Sequence, residues 1–172
     1  PFPSVGATEN CLLACVLAKG ESRIENPARE PEIDELCSFL NCRGARISRR
    51  RDGSLRIQGV SRLEPGVWQI QADRIVAGTY LLAAACTGGS LCVHGCPEES
   101  LRAAAGVLRR MGAQVWNQEK RWAVAVKERL QGIPYVETRP YPDFPTDLQS
   151  PLMAAFSVAF GRSRIRETIF EN

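Results

Sequence analysis

Apolar residues dominate three segments of the chain, and each segment ends at a glycine. The segments are residues 11–20, 80–89 and 152–161, and each is followed by a short run with β-branched residues. A helix that is apolar nearly all round is typically buried on every side, and a glycine just beyond the last apolar residue is typical of a helix C-terminus. We therefore predict three copies of a buried helix followed by a strand.

The first two copies continue with a second helix that has a single apolar face. Apolar residues at helical spacing mark this face, namely Ile33, Leu36, Cys37 and Leu40 in one copy and Leu101, Ala104, Ala105, Leu108 and Met111 in the other. Gly44 and Gly112 follow these helices, and a strand comes next in each copy. Two more strands are predicted after that, at residues 55–60 and 67–71 and at residues 122–126 and 135–138. The repeated unit is strand–helix–strand–helix–strand–strand, roughly seventy residues long.

The difference between the two helices predicts the architecture. If the first helix of each unit is enclosed, several units must cluster their first helices inside, with strands on the outer side. The second helix belongs at the surface, because acidic residues crowd its first turns. A complete unit ends near residue 71, so we expect residues 1–71 and residues 72–172 to belong to different domains.

Composition and charge narrow the class of protein. The net charge of +3 is too small to indicate a nucleic-acid partner. The one basic cluster, residues 46–53, fits a solvated hairpin turn better than a phosphate or nucleic-acid contact, which stays the alternative. No apolar run is long enough to cross a membrane, and no signal peptide is visible. The chain starts at Pro1 and stops after a strand-like run, so we expect both ends to lie within a longer polypeptide.

The seven cysteines lie mainly within apolar stretches, which predicts buried thiols and a reducing, cytoplasmic setting. Cys92, His94 and Cys96 alternate along a predicted strand, so their side chains are expected on one face. A strand does not converge three consecutive ligands of that kind on one ion, and zinc sites usually use paired cysteine knuckles. We therefore expect no metal site.

Five blocks of residues then point to a known family. In chain order they are residues 2–10 (FPSVGATEN), 24–33 (IENPAREPEI), 73–75 (DRI), 144–149 (FPTDLQ) and 167–172 (ETIFEN). In order and spacing, these blocks resemble the UDP-N-acetylglucosamine 1-carboxyvinyltransferases. The related 3-phosphoshikimate 1-carboxyvinyltransferases share the repeat but lack the REPE and FPTDxQ blocks, so they are the less favoured resemblance.

The resemblance implies an α/β fold, with each domain an inside-out barrel of βαβαββ units around buried helices, and with the active site between the two domains. It implies transfer of an enolpyruvyl group from phosphoenolpyruvate to the 3-hydroxyl of UDP-N-acetylglucosamine, with no cofactor. The expected setting is the cytoplasm, in peptidoglycan and cell-wall synthesis and hence in cell shape and cell division. No nucleic acid or membrane partner is implied.

The resemblance also implies that the chain is incomplete by itself. The family's catalytic cysteine lies upstream, and none of the cysteines here matches it. We therefore expect the isolated chain to be inactive and to leave apolar helix faces exposed, and the active site to need the remainder of the same protein.

Residue by residue, the resemblance gives Asp147 the role of the catalytic aspartate at the sugar hydroxyl, a base in the reaction. Thr146 is implied to bind substrate. The pattern alone predicts a simpler role for both, with Thr146 capping a helix and Asp147 in its first turn.

The remaining implied substrate contacts are Ser4, Val5 and Gly6, for the UDP moiety, and Ile169 with Phe170. Backbone N–H groups at a helix start can bind an anion, and a glycine permits close approach. The pattern alone makes Ser4 a helix cap and Ile169–Phe170 strand core.

Two alternatives stay open beside the transferase. One is a nucleotide-sugar-binding relative that has lost catalysis, and the other is the shikimate-pathway enzyme. Retention of Asp147 favours the transferase over the first alternative.

Overall fold

A computed structural model describes residues 2–170. The chain divides into two units, Pro1–Ile70 and Gln71–Asn172, each with its own hydrophobic core. That the units belong to different domains of a larger protein stays a prediction.

The first unit packs two helices on one side of a three-stranded antiparallel sheet. In chain order its elements are α1 (Val5–Val16), β1 (Glu21–Ile24), α2 (Pro31–Cys42), β2 (Arg46–Arg49) and β3 (Leu55–Gln58). The sheet order is β1-β3-β2, and Ile57 of the central strand lies opposite both Ser22 and Ile47. The basic cluster contains β2 and the turn to β3, where Gly53 has φ +84°.

The second unit repeats this arrangement and adds a further segment. Its elements are α3 (Arg74–Cys86), β4 (Ser90–His94), α4 (Glu98–Arg110), β5 (Gln114–Gln118), β6 (Arg121–Ala125), β7 (Val136–Glu137), a 3₁₀ turn (Thr146–Leu148), α5 (Gln149–Val158) and β8 (Ile165–Arg166). The sheet order is β4-β6-β5, while β7 and β8 pair in parallel.

Five elements of the predicted repeat are confirmed, because both units run helix–strand–helix–strand–strand with equivalent sheet orders. The predicted last strand of the unit is not repeated, since it occurs only in the second unit, as β7. Glycines with left-handed backbone follow the three first helices, with φ +92° at Gly20, +68° at Gly88 and +96° at Gly161. Only Gly88 directly follows a C-cap residue, because α1 already ends at Val16 and α5 at Val158. A side chain is strained in this conformation, so glycine at these positions lets the chain leave the helix and turn into the strand.

The predicted apolar faces of the second helices form much of each core. In α4 the side chains of the predicted face are all buried, from Leu101 to Met111 at the C-cap. In α2 Ile33 and Leu40 are buried, and Leu36 and Cys37 pack beside them. The core of the second unit also contains Trp122, which donates a hydrogen bond from Nε1 to the Pro97 carbonyl at 3.4 Å.

One predicted strand is absent from the fold. Residues 67–71 form no strand, and the Val67 side chain is 93% exposed. The first helices leave apolar side chains uncovered within this chain, since Leu13 of α1, Tyr80 of α3 and Met153 of α5 are each more than half exposed. Apolar faces left uncovered are what we expected of a chain that holds fewer units than a complete domain.

The cysteines also differ from expectation. Among residues 2–170 only Cys96 is buried, and all seven thiols are free. Cys92 and His94 lie on the exposed face of β4, 3.7 Å apart, whereas Cys96 points inward after a turn at Gly95. The prediction that these three side chains share a face is therefore wrong. Within the same residues, no group of three potential metal ligands is found.

None of the helices in the described part of the chain is both long and apolar enough to cross a membrane.

Candidate functional site

Asp147 lies in a short 3₁₀ turn that runs directly into α5. Phe144 and Leu148, on either side of it, are 5% and 2% exposed, so both anchor the turn in the core while the Asp147 carboxylate is exposed. Leu148 packs on α3 at Gly78, where an added Cβ would lie only 2.7 Å from Leu148 Cδ1. The turn is therefore held against α3 at close range, and this fixes the place of Asp147.

Thr146 does not cap the helix, contrary to the prediction from the pattern. The residue that caps the 3₁₀ turn is Pro145, and no side chain accepts a hydrogen bond there. Thr146 instead donates its hydroxyl proton to Oε2 of Glu167, at 2.8 Å. The sequence pattern could not show this contact because its two partners are far apart along the chain.

Glu167 joins this turn to the segment that contains Ile169 and Phe170. Its Oε1 accepts hydrogen bonds from the backbone N–H of Ile169 at 2.6 Å and of Phe170 at 3.3 Å. Burial pushes the pKa of this carboxyl upward, but the hydrogen bonds from Ile169, Thr146, Thr138 and Phe170 outweigh it and lower the pKa below its ordinary value. The group is therefore a carboxylate at neutral pH.

The same segment is fastened to β7 on its other side. Thr138, which is fully buried, receives a hydrogen bond at Oγ1 from the Thr168 N–H at 3.0 Å. The Thr168 hydroxyl in turn donates to the Thr138 carbonyl. The parallel pairing of β7 with β8 continues into these contacts, because the Thr138 N–H donates to the Arg166 carbonyl at 2.9 Å.

Ile169 and Phe170 lie beyond β8, so they are not strand core. Ile169 is half-buried and the Phe170 side chain is 69% exposed. The structure thus brings three predicted residues together around one carboxylate, namely Thr146, Ile169 and Phe170. Asp147 directly follows Thr146 in the same turn. Sequence reasoning assigned no role to Glu167, although it begins the last of the matched blocks.

The other predicted contact residues lie at the start of α1. Ser4 is the N-cap, as the pattern predicts, and its Oγ accepts a hydrogen bond from the Ala7 N–H at 3.3 Å. Val5 and Gly6 form the first turn of the helix, and the position of a Cβ on Gly6 has no atom within 4 Å. The helix start therefore presents an open backbone surface, the kind of surface that accepts an anion.

A buried hydroxyl fixes this helix start. Thr8 is 4% exposed, and its Oγ1 donates to the Ser4 carbonyl at 2.7 Å and accepts from the Ala28 N–H at 3.0 Å. Thr8 thereby connects α1 to the second matched block, a contact that the sequence did not reveal.

Two residues of the third matched block have structural contacts. Asp73 caps α3 by accepting hydrogen bonds from the N–H groups of Ile75, at 2.7 Å, and Val76, at 3.0 Å. Arg74 is 8% exposed, and its guanidinium lies 5.8 Å from the centre of the Tyr141 ring. These contacts stabilise the base of α3, the helix on which the Asp147 turn packs.

Chemically, the cluster around Glu167 offers acceptors rather than donors. Among residues 2–170, no donor to the Asp147 carboxylate is found, whereas the nearby hydroxyl and N–H donors already serve Glu167. An exposed carboxylate on a rigid turn can accept a proton from a hydroxyl group placed beside it.

Comparisons with known proteins agree with the matched blocks. A family model described as EPSP synthase (3-phosphoshikimate 1-carboxyvinyltransferase) matches residues 1–172. The chain is 47% identical, over all its residues, to the UDP-N-acetylglucosamine 1-carboxyvinyltransferase of Gluconobacter oxydans, and 46% identical, over 99% of its residues, to that of Oleidesulfovibrio alaskensis. It spans 41% of the length of each of these relatives.

Among solved structures, the enolpyruvyl transferase NikO from Streptomyces tendae superposes with a TM-score of 0.81 over 95% of this chain and 39% of that one, at 21% identity. This likeness confirms the predicted α/β fold class. The chain therefore belongs to the EPSP synthase (3-phosphoshikimate 1-carboxyvinyltransferase) family, and its relatives in Gluconobacter oxydans and Oleidesulfovibrio alaskensis are named UDP-N-acetylglucosamine 1-carboxyvinyltransferases.

Proposed function

We propose that the protein containing this chain transfers an enolpyruvyl group from phosphoenolpyruvate to the 3-hydroxyl of UDP-N-acetylglucosamine. The observation that carries the proposal is that Glu167 joins the turn containing Thr146 and Asp147 to the backbone of Ile169 and Phe170. The chain spans 41% of the relatives that bear this name, so the complete active site needs residues outside it.

In this proposal Asp147 is the base at the sugar hydroxyl. In the addition step the 3-hydroxyl loses its proton as its oxygen bonds to phosphoenolpyruvate, while the methylene carbon of phosphoenolpyruvate takes up a proton. In the later elimination that carbon loses a proton as phosphate leaves. The Asp147 carboxylate suits the first step because it is exposed while the turn below it is packed on α3. Because the backbone that carries the base is held in place, less entropy is lost in positioning the base for the reaction.

The start of α1 is the proposed contact for the UDP moiety. The first-turn N–H groups of the helix and the open surface over Gly6 suit a diphosphate, because helix starts carry partial positive charge. Ser4 contributes as the cap that ends the helix at this point.

The proposed setting is the cytoplasm, where seven free thiols, three of them on exposed residues, would stay reduced. We place the reaction in peptidoglycan synthesis, on the strength of the relatives' names.

The test is turnover by the full-length protein, measured as phosphate release with UDP-N-acetylglucosamine and, separately, with shikimate 3-phosphate. Activity with the nucleotide sugar alone is the expected result. Activity with shikimate 3-phosphate alone would assign the shikimate reaction instead, and binding without turnover would indicate a relative that has lost catalysis. The isolated 172-residue chain is expected to show no turnover.

A pair of substitutions tests the role of Asp147. Asp147→Asn is expected to lower kcat at least about 100-fold, the usual contribution of a general base. Asp143→Asn is the matched control, because Asp143 is an exposed carboxylate a few residues earlier in the same loop. Equal activity of the two variants would contradict the assignment of Asp147.

A further inference from the structure

Glu167 accepts hydrogen bonds from both the Thr146 turn and the segment that follows β8. One carboxylate oxygen takes the Thr146 hydroxyl proton, and the other takes the N–H groups of Ile169 and Phe170. A carboxylate can only accept hydrogen bonds, so the direction of each of these bonds is fixed.

The direction of the Thr146 bond has a consequence for any ligand. A hydroxyl has one proton and two lone pairs. Because the proton points at Glu167, Thr146 Oγ1 can offer only lone pairs to a ligand. Asp147, the neighbouring residue, likewise offers only acceptor oxygens while it is ionised.

We propose that Glu167 is a positioning residue that sets the polarity of this site, making Thr146 an acceptor so that the rim around Asp147 binds ligand groups that donate hydrogen bonds. The inference rests on the proposed function and deepens it. A sugar hydroxyl about to lose its proton is such a donor, whereas a ligand group that only accepts finds no partner here.

The anchoring of the segment supports a positioning role rather than a surface contact. Thr168, the residue after Glu167, is hydrogen-bonded twice to the fully buried Thr138, so the backbone beside Glu167 is held in place. The lowered pKa of Glu167 keeps the carboxylate ionised, and therefore an acceptor, at neutral pH.

The substitution Glu167→Gln changes which hydrogen bonds the side chain accepts and donates while keeping its size. The glutamine oxygen can still accept from Ile169 and Phe170, and its NH₂ group can donate to Thr146 Oγ1. Both connections survive, but the Thr146 proton is released, and the residue becomes able to donate. A residue with a purely structural role would show little effect from this exchange.

The experiment measures Kd for UDP-N-acetylglucosamine, and for its 3-deoxy analogue, on the full-length protein by calorimetry. With Glu167→Gln we expect affinity for the natural ligand to fall about 10- to 100-fold, as when a hydrogen bond to a charged network is lost. Affinity for the 3-deoxy analogue and the melting temperature should change little. Thr146→Val should give the same selective loss of affinity for the natural ligand, and Thr146→Ser should not. The double variant that combines Glu167→Gln with Thr146→Val should bind the natural ligand no more weakly than Thr146→Val alone.

The outcomes distinguish two failures. If the wild-type protein binds no UDP-N-acetylglucosamine, the proposed function is wrong. If it binds, but Glu167→Gln weakens both ligands equally or neither, the polarity role of Glu167 is wrong. If Glu167→Gln does not fold, the comparison of Thr146→Val with Thr146→Ser decides, and equal affinities for the two would overturn the inference.

Discussion

Replacing Thr8 by valine should destabilise the start of α1 measurably. The substitution keeps the shape of the side chain but removes the hydroxyl that links α1 to the buried backbone at Ala28. The Ser4 carbonyl loses little, because it still accepts a hydrogen bond from the Thr8 N–H at 3.0 Å. The Ala28 N–H, in contrast, keeps no acceptor.

The magnitude follows from that orphaned N–H group. A buried donor without a partner costs about 1–3 kcal/mol. Ala28 is 1% exposed, so water cannot replace the lost acceptor without opening the structure. Thr8→Ser is the control, since it keeps the hydroxyl and removes one methyl group, at a cost of about 0.8 kcal/mol.

Two measurements on the full-length protein check this prediction. Urea unfolding should place the midpoint of Thr8→Val below that of Thr8→Ser. Hydrogen exchange followed by mass spectrometry should show faster exchange in the peptide that contains Ala28 for the valine variant alone. Equal midpoints together with equal protection would refute the reasoning, because the hydroxyl would then be dispensable.

Two further predictions concern close packing and pH. Gly59→Ala should lower the free energy of unfolding by at least about 3 kcal/mol, and with it the midpoint of urea unfolding. The added Cβ would lie 1.6 Å from the Ala18 carbonyl oxygen, which is a backbone atom and cannot rotate away. Gly106→Ala is the control and should be neutral or slightly stabilising, because no atom lies within 4 Å of its Cβ position. Since the pKa of Glu167 is lower in the folded protein than in the unfolded chain, its stabilising effect should be complete above the ordinary glutamate pKa and vanish as the pH falls through the folded value. As the pH is lowered, hydrogen exchange of the Ile169 amide should therefore accelerate more in the wild-type protein than in the Glu167→Gln variant. An equal pH dependence of exchange in the two proteins would contradict this.

Several features of the molecule could be predicted from the sequence because they depend on local chemistry. Gly44, Gly88 and Gly112 directly follow the C-cap residues of α2, α3 and α4 and have positive φ values, and this preference acts on one residue at a time. The apolar face of α4 is equally local, since its spacing follows from the pitch of a helix. The matched blocks predicted Thr146 and Asp147 as site residues but said nothing of their contacts.

Where sequence reasoning failed, a local signal competed with distant packing. Residues 67–71 carry apolar and β-branched residues, yet no strand forms because the structure gives them no neighbouring strand to pair with. Thr146 resembles a helix cap in sequence, but Glu167 offers a charged acceptor for its hydroxyl, and such hydrogen bonds are stronger than neutral ones.

The helices, the five repeated elements of each unit and the family could all be predicted from the amino-acid sequence, because each depends on residues close together in the chain or on matched blocks. Only the tertiary structure decided that Glu167 joins Thr146 to Ile169 and Phe170, and that Thr8 holds the start of α1. The physical reason is that a hydrogen bond between segments depends on where folding places each partner. No periodicity or spacing along the chain records that placement.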